Sequence, residues 1–188
     1  LVIGFDTGPG MGLIDCCALE LFQDKWDTDG QYSKIGTINN NLLSFLMNQP
    51  FILKQPRKST GYHEFGKLLF SVILNNYRNV SQNDILRTLV NFTAQSIVEN
   101  IKKFCNFTTS ETQIIVSGGG VHHPLLMETL KSALTPTYLI TSDIIGIEPD
   151  MKESLLMAVL AVAKINNLSA NMPSVTGANY LVELGKIK

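Results

Sequence analysis

Gly4-Phe5-Asp6-Thr7-Gly8-Pro9-Gly10 decides how the rest of this sequence is read. The apolar run Leu1 to Phe5 predicts a buried strand ending at Asp6. Thr7 to Gly12 is a Gly/Pro turn, and Leu13, Ile14, Cys17, Ala18, Leu21 and Phe22 recur behind it at helical spacing. Glycines let backbone N–H groups approach an oxyanion closely, and a following helix adds the positive end of its dipole. A carboxylate at the strand tip, Asp6, can hold Mg²⁺ through water or take a proton from a nucleophile beside a phosphate. The same pattern also describes an ordinary strand-turn-helix corner with a capping Asp. The turn alone leaves both readings open.

Beyond the turn, Trp26-Asp27-Thr28-Asp29-Gly30 has loop character, and Asn40 to Asn48 predicts a short amphipathic helix stopped by Pro50. Pro50 to Pro56 is expected to be extended, and a helix is expected from about Gly61 through Ile73. Ser81 and Asp84 mark the start of a long helix through Phe104. Gln113 to Ser117 is β-branched and predicts a strand; Tyr138 to Thr141 predicts a second. Pro124 suits the first position of the helix between them. Asp150 to Ile165 predicts an apolar helix buried on more than one side, and Pro173 to Lys188 a loop-rich tail. Strands alternating with helices favour an α/β layer arrangement, helices covering a sheet.

The composition narrows the function classes. A chain of 188 residues, 45% apolar and 16% charged, suits one domain with its own core. A net charge of −1 gives no electrostatic case for nucleic acid or an anionic membrane. No run is long enough for a membrane helix, and Leu1-Val2-Ile3 lacks the basic start of a signal peptide. Cys16, Cys17 and Cys105 form no disulfide or metal framework and are expected to be buried thiols in a reducing compartment. The sequons at Asn79, Asn91, Asn106 and Asn167 are expected to be chance matches in an Asn-rich chain. The first residue is Leu and the chain opens directly in an apolar run, so an excised domain is expected.

Three further constellations are candidates for chemistry. Ser117-Gly118-Gly119-Gly120 offers a surface free of side chains for adenine or phosphates, or is a tight turn; its spacing fits neither the dinucleotide fingerprint nor a P-loop. Glu153, early in the late helix, is either a dipole partner or a site acid. Arg57-Lys58-Ser59-Thr60-Gly61 is either a phosphate or partner contact, or a solvated loop. His122 and His123 are adjacent and face different ways, so no metal site is expected.

Together these pieces resemble the anhydro-N-acetylmuramic acid kinase family, within the actin/hexokinase-like superfamily. The matching stretches are Gly4 to Gly10 with Asp15; Trp26 to Gly30; Pro56 to Gly61; Ser117 to Gly120 before His123-Pro124; Asp150 to Ala161 with Glu153; and Pro173 to Ala178. They span nearly the whole chain in the family's order. Met11 and His122-His123 stand where the family usually has Asn, and Tyr62-His63 where it often has Arg-Glu.

The resemblance implies a ribonuclease-H-like (actin-like ATPase) α/β domain, a mixed sheet covered by helices. Residues 1–188 would be the C-terminal nucleotide-binding domain of a two-domain cytoplasmic kinase, with an N-terminal domain absent. The family's activity uses ATP and Mg²⁺ to phosphorylate a 1,6-anhydro sugar while water opens the anhydro bridge, in cell-wall amino-sugar recycling. By that pattern Asp6 is the general base for the water and Glu153 helps to position it. Thr7, Gly8, Pro9 and Gly10 cradle the ATP phosphates; Gly118, Gly119 and Gly120 lie by the adenosine. A levoglucosan-kinase-like sugar preference and a non-catalytic nucleotide-binding relative are the alternatives. The isolated chain is expected to be inactive, and an apolar face left by the absent domain would favour a homodimer.

Overall fold

Ser81 opens the longest helix. Its Oγ accepts the Asp84 N–H at 3.1 Å, and Asp84 stands in the first turn, where the dipole favours a carboxylate. Helix α6 then runs over Gln82–Phe104. The structure is a computed structural model in which residues 2–105 and 112–187 are described. The strand start expected at Leu1, the sequon at Asn106 and the last tail residue, Lys188, lie outside the described residues.

Helix α6 is the axis of the core. Helices α1 (Gly12–Cys17) and α2 (Asn40–Met47) pack against it, as does α7 (Pro124–Leu134). Leu13, Ile14, Leu42, Leu46, Leu86, Leu89, Phe92 and Leu130 fill the space between them, buried. Each such side chain withdrawn from water contributes about 1.5–3 kcal/mol. The helical turn after α1 continues over Ala18–Phe22 as a π-helix and ends at Gln23 in the left-handed region.

Strands β1 (Gln113–Val116) and β2 (Tyr138–Thr141) pair in parallel, Gln113 opposite Tyr138 and Val116 opposite Thr141. Helix α7 is the crossover between them. Pro124 occupies its first turn, and the His123 ring caps it by accepting the Leu126 N–H at 3.2 Å. The described residues thus form an α/β domain with a small two-stranded parallel sheet.

Several expectations need correcting. Residues 2–5 form no strand; Val2 and Ile3 are exposed, with no neighbouring strand among the described residues to pair with. The helix expected over Asn40 to Asn48 is α2 and ends before Pro50, but Pro50 to Pro56 is not extended throughout: Pro50 opens α3 (Pro50–Leu53), since a first-turn Pro lacks only an N–H that would be orphaned anyway. The helix expected from Gly61 is two, α4 (Tyr62–Phe65) and α5 (Lys67–Asn76), broken by the extended backbone of Gly66. Cys16 and Cys17 are buried, but Cys105, just past the end of α6, is exposed. The tail is loop-rich as expected, with one short helix among its described residues, α9 (Pro173–Thr176).

The largest correction concerns α8 (Lys152–Ile165), which has no buried residue. Leu155, Val159 and Val162 lie one to two turns apart and are 46%, 56% and 59% exposed. An apolar helix is buried only where another surface meets it, and no described element does so here.

Candidate functional site

The first glycine turn is pinned to α6 from behind. Thr93 Oγ1 donates to the Gly10 carbonyl oxygen at 3.1 Å, and the Asn100 side-chain amide to that of Thr7 at 3.4 Å. Between these two contacts Gly8 lies so close to α6 that a Cβ on it would stand 2.7 Å from Ser96 Oγ. Gly10 has φ +56°, where a side chain is strained. Among the described residues the N–H groups of Gly8 and Gly10 have no protein acceptor.

Asp6 is exposed at the front of this turn. Its N–H donates to the Lys58 carbonyl oxygen at 2.9 Å. Its Oδ2 accepts the Ser59 hydroxyl at 2.9 Å and the Thr60 N–H at 2.8 Å. Asp6 divides two cavities. One, about 320 Å³, is lined by Gly4, Phe5, Arg57, Lys58, Ser59, Val175 and Thr176. The other, about 370 Å³, is lined by Gly8, Pro9, Gly10, Gly12, Thr60, Gly61, Tyr62 and Phe65. Arg57 stands on the first with φ +28°, a strained value for a non-glycine residue. Lys58 is buried, its ammonium donating to the carbonyl oxygens of Phe51 and Ile52 at 3.5 and 3.2 Å; burial pushes its pKa down.

The glycine triplet lies on a different cavity. Gly118 has φ +85° and donates its N–H to the Pro149 carbonyl oxygen at 3.0 Å. Gly118 and Gly119 face open space, whereas a Cβ on Gly120 would touch Met11 Sδ and Leu126 at 3.6 Å. Met11 is therefore the junction of the two glycine turns. A cavity of about 540 Å³ opens there, lined by Met11, Asp15, Trp26, Asp27, Thr28, Asp29, Gly119, His122, His123 and Asp150. His122 Nε2 meets Asp150 at 3.0 Å on its exposed rim.

Two acids in this cavity differ sharply. Burial pushes Asp27 up, but hydrogen bonds from His123, Ser33 and Tyr32 outweigh it and hold the carboxyl below the usual range. Burial pushes Asp15 up, offset in part by His123, and Asp15 Oδ1 is buried with no hydrogen-bond partner among the described residues.

The structure therefore brings Gly8, Pro9 and Gly10 to the cavity that Asp6 also lines, with Thr7 next to Asp6 in the turn, and Gly119 of the triplet to the neighbouring cavity beyond Met11, with Gly120 packed against Met11. Glu153 is exposed in the first turn of α8 and lines neither cavity that Asp6 lines. Sequence reading missed the Asp27–His123 pair and the hold of Ser59 and Thr60 on Asp6. The first had a signal, since a residue before a first-turn Pro is a natural N-cap.

A sequence model of the anhydro-N-acetylmuramic acid kinase family matches residues 1–188. The chain belongs to that family. Curated anhydro-N-acetylmuramic acid kinases from Clostridioides difficile and Bacillus cereus are 36% and 37% identical to it over 99% of its length. One from Salinibacter ruber is 36% identical over the same share. The chain spans about half the length of these anhydro-N-acetylmuramic acid kinases, 49%, 49% and 47%.

Proposed function

We propose that this chain is the C-terminal, nucleotide-binding domain of a cytoplasmic two-domain kinase that phosphorylates anhydro-N-acetylmuramic acid. The observation that carries the reading is Asp6: a carboxylate held through one oxygen, in front of a glycine turn whose N–H groups are free, between two cavities. The relatives' names and the doubled length of those relatives support it.

In this reading Asp6 takes a proton from water. The water oxygen bonds to the anomeric carbon, the bond from that carbon to the bridging oxygen breaks, and the freed oxygen takes the γ-phosphoryl group as ADP leaves. The N–H groups at Gly8 and Gly10 face the phosphates, and positioning with charge stabilisation supplies most of the catalysis. Gly118, Gly119 and Gly120 lie on the adenosine side, where Gly119 lines the 540 Å³ cavity. Mg²⁺, when bound, would neutralise phosphate charge and be held mainly by the phosphates and water, which leaves Asp6 Oδ1 to the reacting water. Glu153 helps to position the water once the second domain closes on α8. A ribonuclease-H-like fold accommodates the parallel pair β1–β2 as part of a larger sheet.

The test is the full-length protein with Asp6→Asn, assayed for ADP release on anhydro-N-acetylmuramic acid. Turnover is lost and ATP binding is kept; retained turnover overturns the reading. A second reading, a non-catalytic nucleotide-binding relative, is favoured by Met11 at the junction and by the His122–Asp150 pair on the cavity rim. It predicts no turnover by the unmutated protein on either anhydro-N-acetylmuramic acid or levoglucosan. Levoglucosan as the better substrate would assign the other sugar.

A further inference from the structure

Residues 58–60 clamp Asp6 at three points. The Lys58 carbonyl oxygen accepts the Asp6 N–H at 2.9 Å, and Asp6 Oδ2 accepts both the Ser59 hydroxyl at 2.9 Å and the Thr60 N–H at 2.8 Å. The clamp is anchored at both ends. The buried Lys58 ammonium is tied to the carbonyl oxygens of Phe51 and Ile52 in α3. The Thr60 hydroxyl donates to Glu64 in α4, and Glu64 pairs with Lys54 at 3.4 Å. Ser59 itself is exposed, on the 320 Å³ cavity, while Thr60 lines the 370 Å³ one. Among the described residues Asp6 Oδ1 has no donor.

We infer that Ser59, together with the Thr60 N–H, is the positioning element for Asp6. It occupies Oδ2 and so reserves Oδ1 for the reacting water. The inference rests on the reading of Asp6 as the base. A carboxylate turning about its χ2 presents either oxygen over a wide range of directions, whereas two donors on one oxygen fix both the plane and the oxygen on offer. A misaimed base loses rate even when everything binds normally. Ser59 touches Asp6 rather than the reacting atoms, so its contribution lies in kcat and not in affinity.

The experiment compares Ser59→Ala, Ser59→Thr and Asp6→Asn in the full-length protein with ATP and the anhydro sugar. Loss of one hydrogen bond to a charged group predicts that Ser59→Ala lowers kcat about tenfold, with sugar KM and ATP Kd within about twofold. Ser59→Thr keeps a hydroxyl at the same place and is expected to recover kcat to within about threefold of the unmutated protein. An unchanged kcat in Ser59→Ala, an affinity loss as large as the kcat loss, or no recovery with Thr overturns the inference. Asp6→Asn separates the two levels. An idle Asp6→Asn beside a fully active Ser59→Ala removes only the role of Ser59. Normal turnover by Asp6→Asn, or none by the unmutated protein, removes the reading of Asp6 and the inference with it.

Discussion

The His123 ring and the Asp27 carboxylate meet at 3.1 Å in the interior, though 96 residues separate them. His123 Nδ1 accepts the Leu126 N–H, so the ring proton is on Nε2 and points at Asp27. One bond thus ties the polar turn bearing Trp26 and Asp29 to the start of α7, and both residues line the 540 Å³ cavity. His123→Ala leaves a buried carboxylate oxygen short of one of its two donors, the other being the Ser33 N–H at 3.3 Å. The expected loss, read from urea unfolding, is about 1.5–3 kcal/mol. A change inside the noise of the measurement would show the pair to be structurally idle.

Asp15 carries the opposite charge logic. Its folded-state pKa is raised by burial, with His123 acting against the rise. The folded state therefore binds the proton more readily than the unfolded one, and stability falls as pH climbs from the unfolded pKa of about 4 through the folded value. Asp15→Asn removes that slope. It is expected to unfold at a higher temperature than the parent at pH 7 and to lose the advantage near pH 4. A difference that stays constant across that range contradicts the assignment.

Gly8 is expected to tolerate no side chain. A Cβ there would stand 2.7 Å from Ser96 Oγ and 3.2 Å from Ser96 Cβ, so the turn must leave α6 or α6 must shift. Gly8→Ala should cost about 1–3 kcal/mol, as overpacking does, and weaken ATP binding. Adding Ser96→Gly clears both atoms and should restore nucleotide affinity. Failure of that rescue would place the fault elsewhere than in the contact.

The exposed face of α8 tests the two-domain proposal. In the 188-residue chain, Leu155→Lys with Val162→Lys replaces solvent-facing side chains and should move stability by less than about 0.5 kcal/mol. In the full-length protein the same pair buries two unpaired charges and should destabilise strongly or prevent folding. Equal, small effects in both settings would mean that the second domain leaves α8 bare.

What was legible in the sequence is what local chemistry sets. Ser81 caps α6, Pro124 opens α7, and the β-branched runs gave β1 and β2, because each depends on residues within a turn or two. Pro50 ends α2 as its chemistry requires, but the stretch after it was not extended, because the same residue type also opens a helix, here α3. The burial of α8 was misjudged because apolar composition says what a helix needs, not what is there to meet it. At the site, the glycines of both turns were visible from their spacing. The hold of Ser59 on Asp6 was not, since it joins residues 53 apart.

The uncovered face of α8 also limits how freely this sequence can be exchanged with its relatives. Where Leu155, Val159 and Val162 meet another part of the protein, that part has to fit their shapes, and at 36–37% identity most of the matching positions differ. Hybrids that join this chain to the remaining half of a relative would keep every motif described above. They would still be expected to fail by mismatch at α8, and a library selected for working hybrids should collect its compensating changes there.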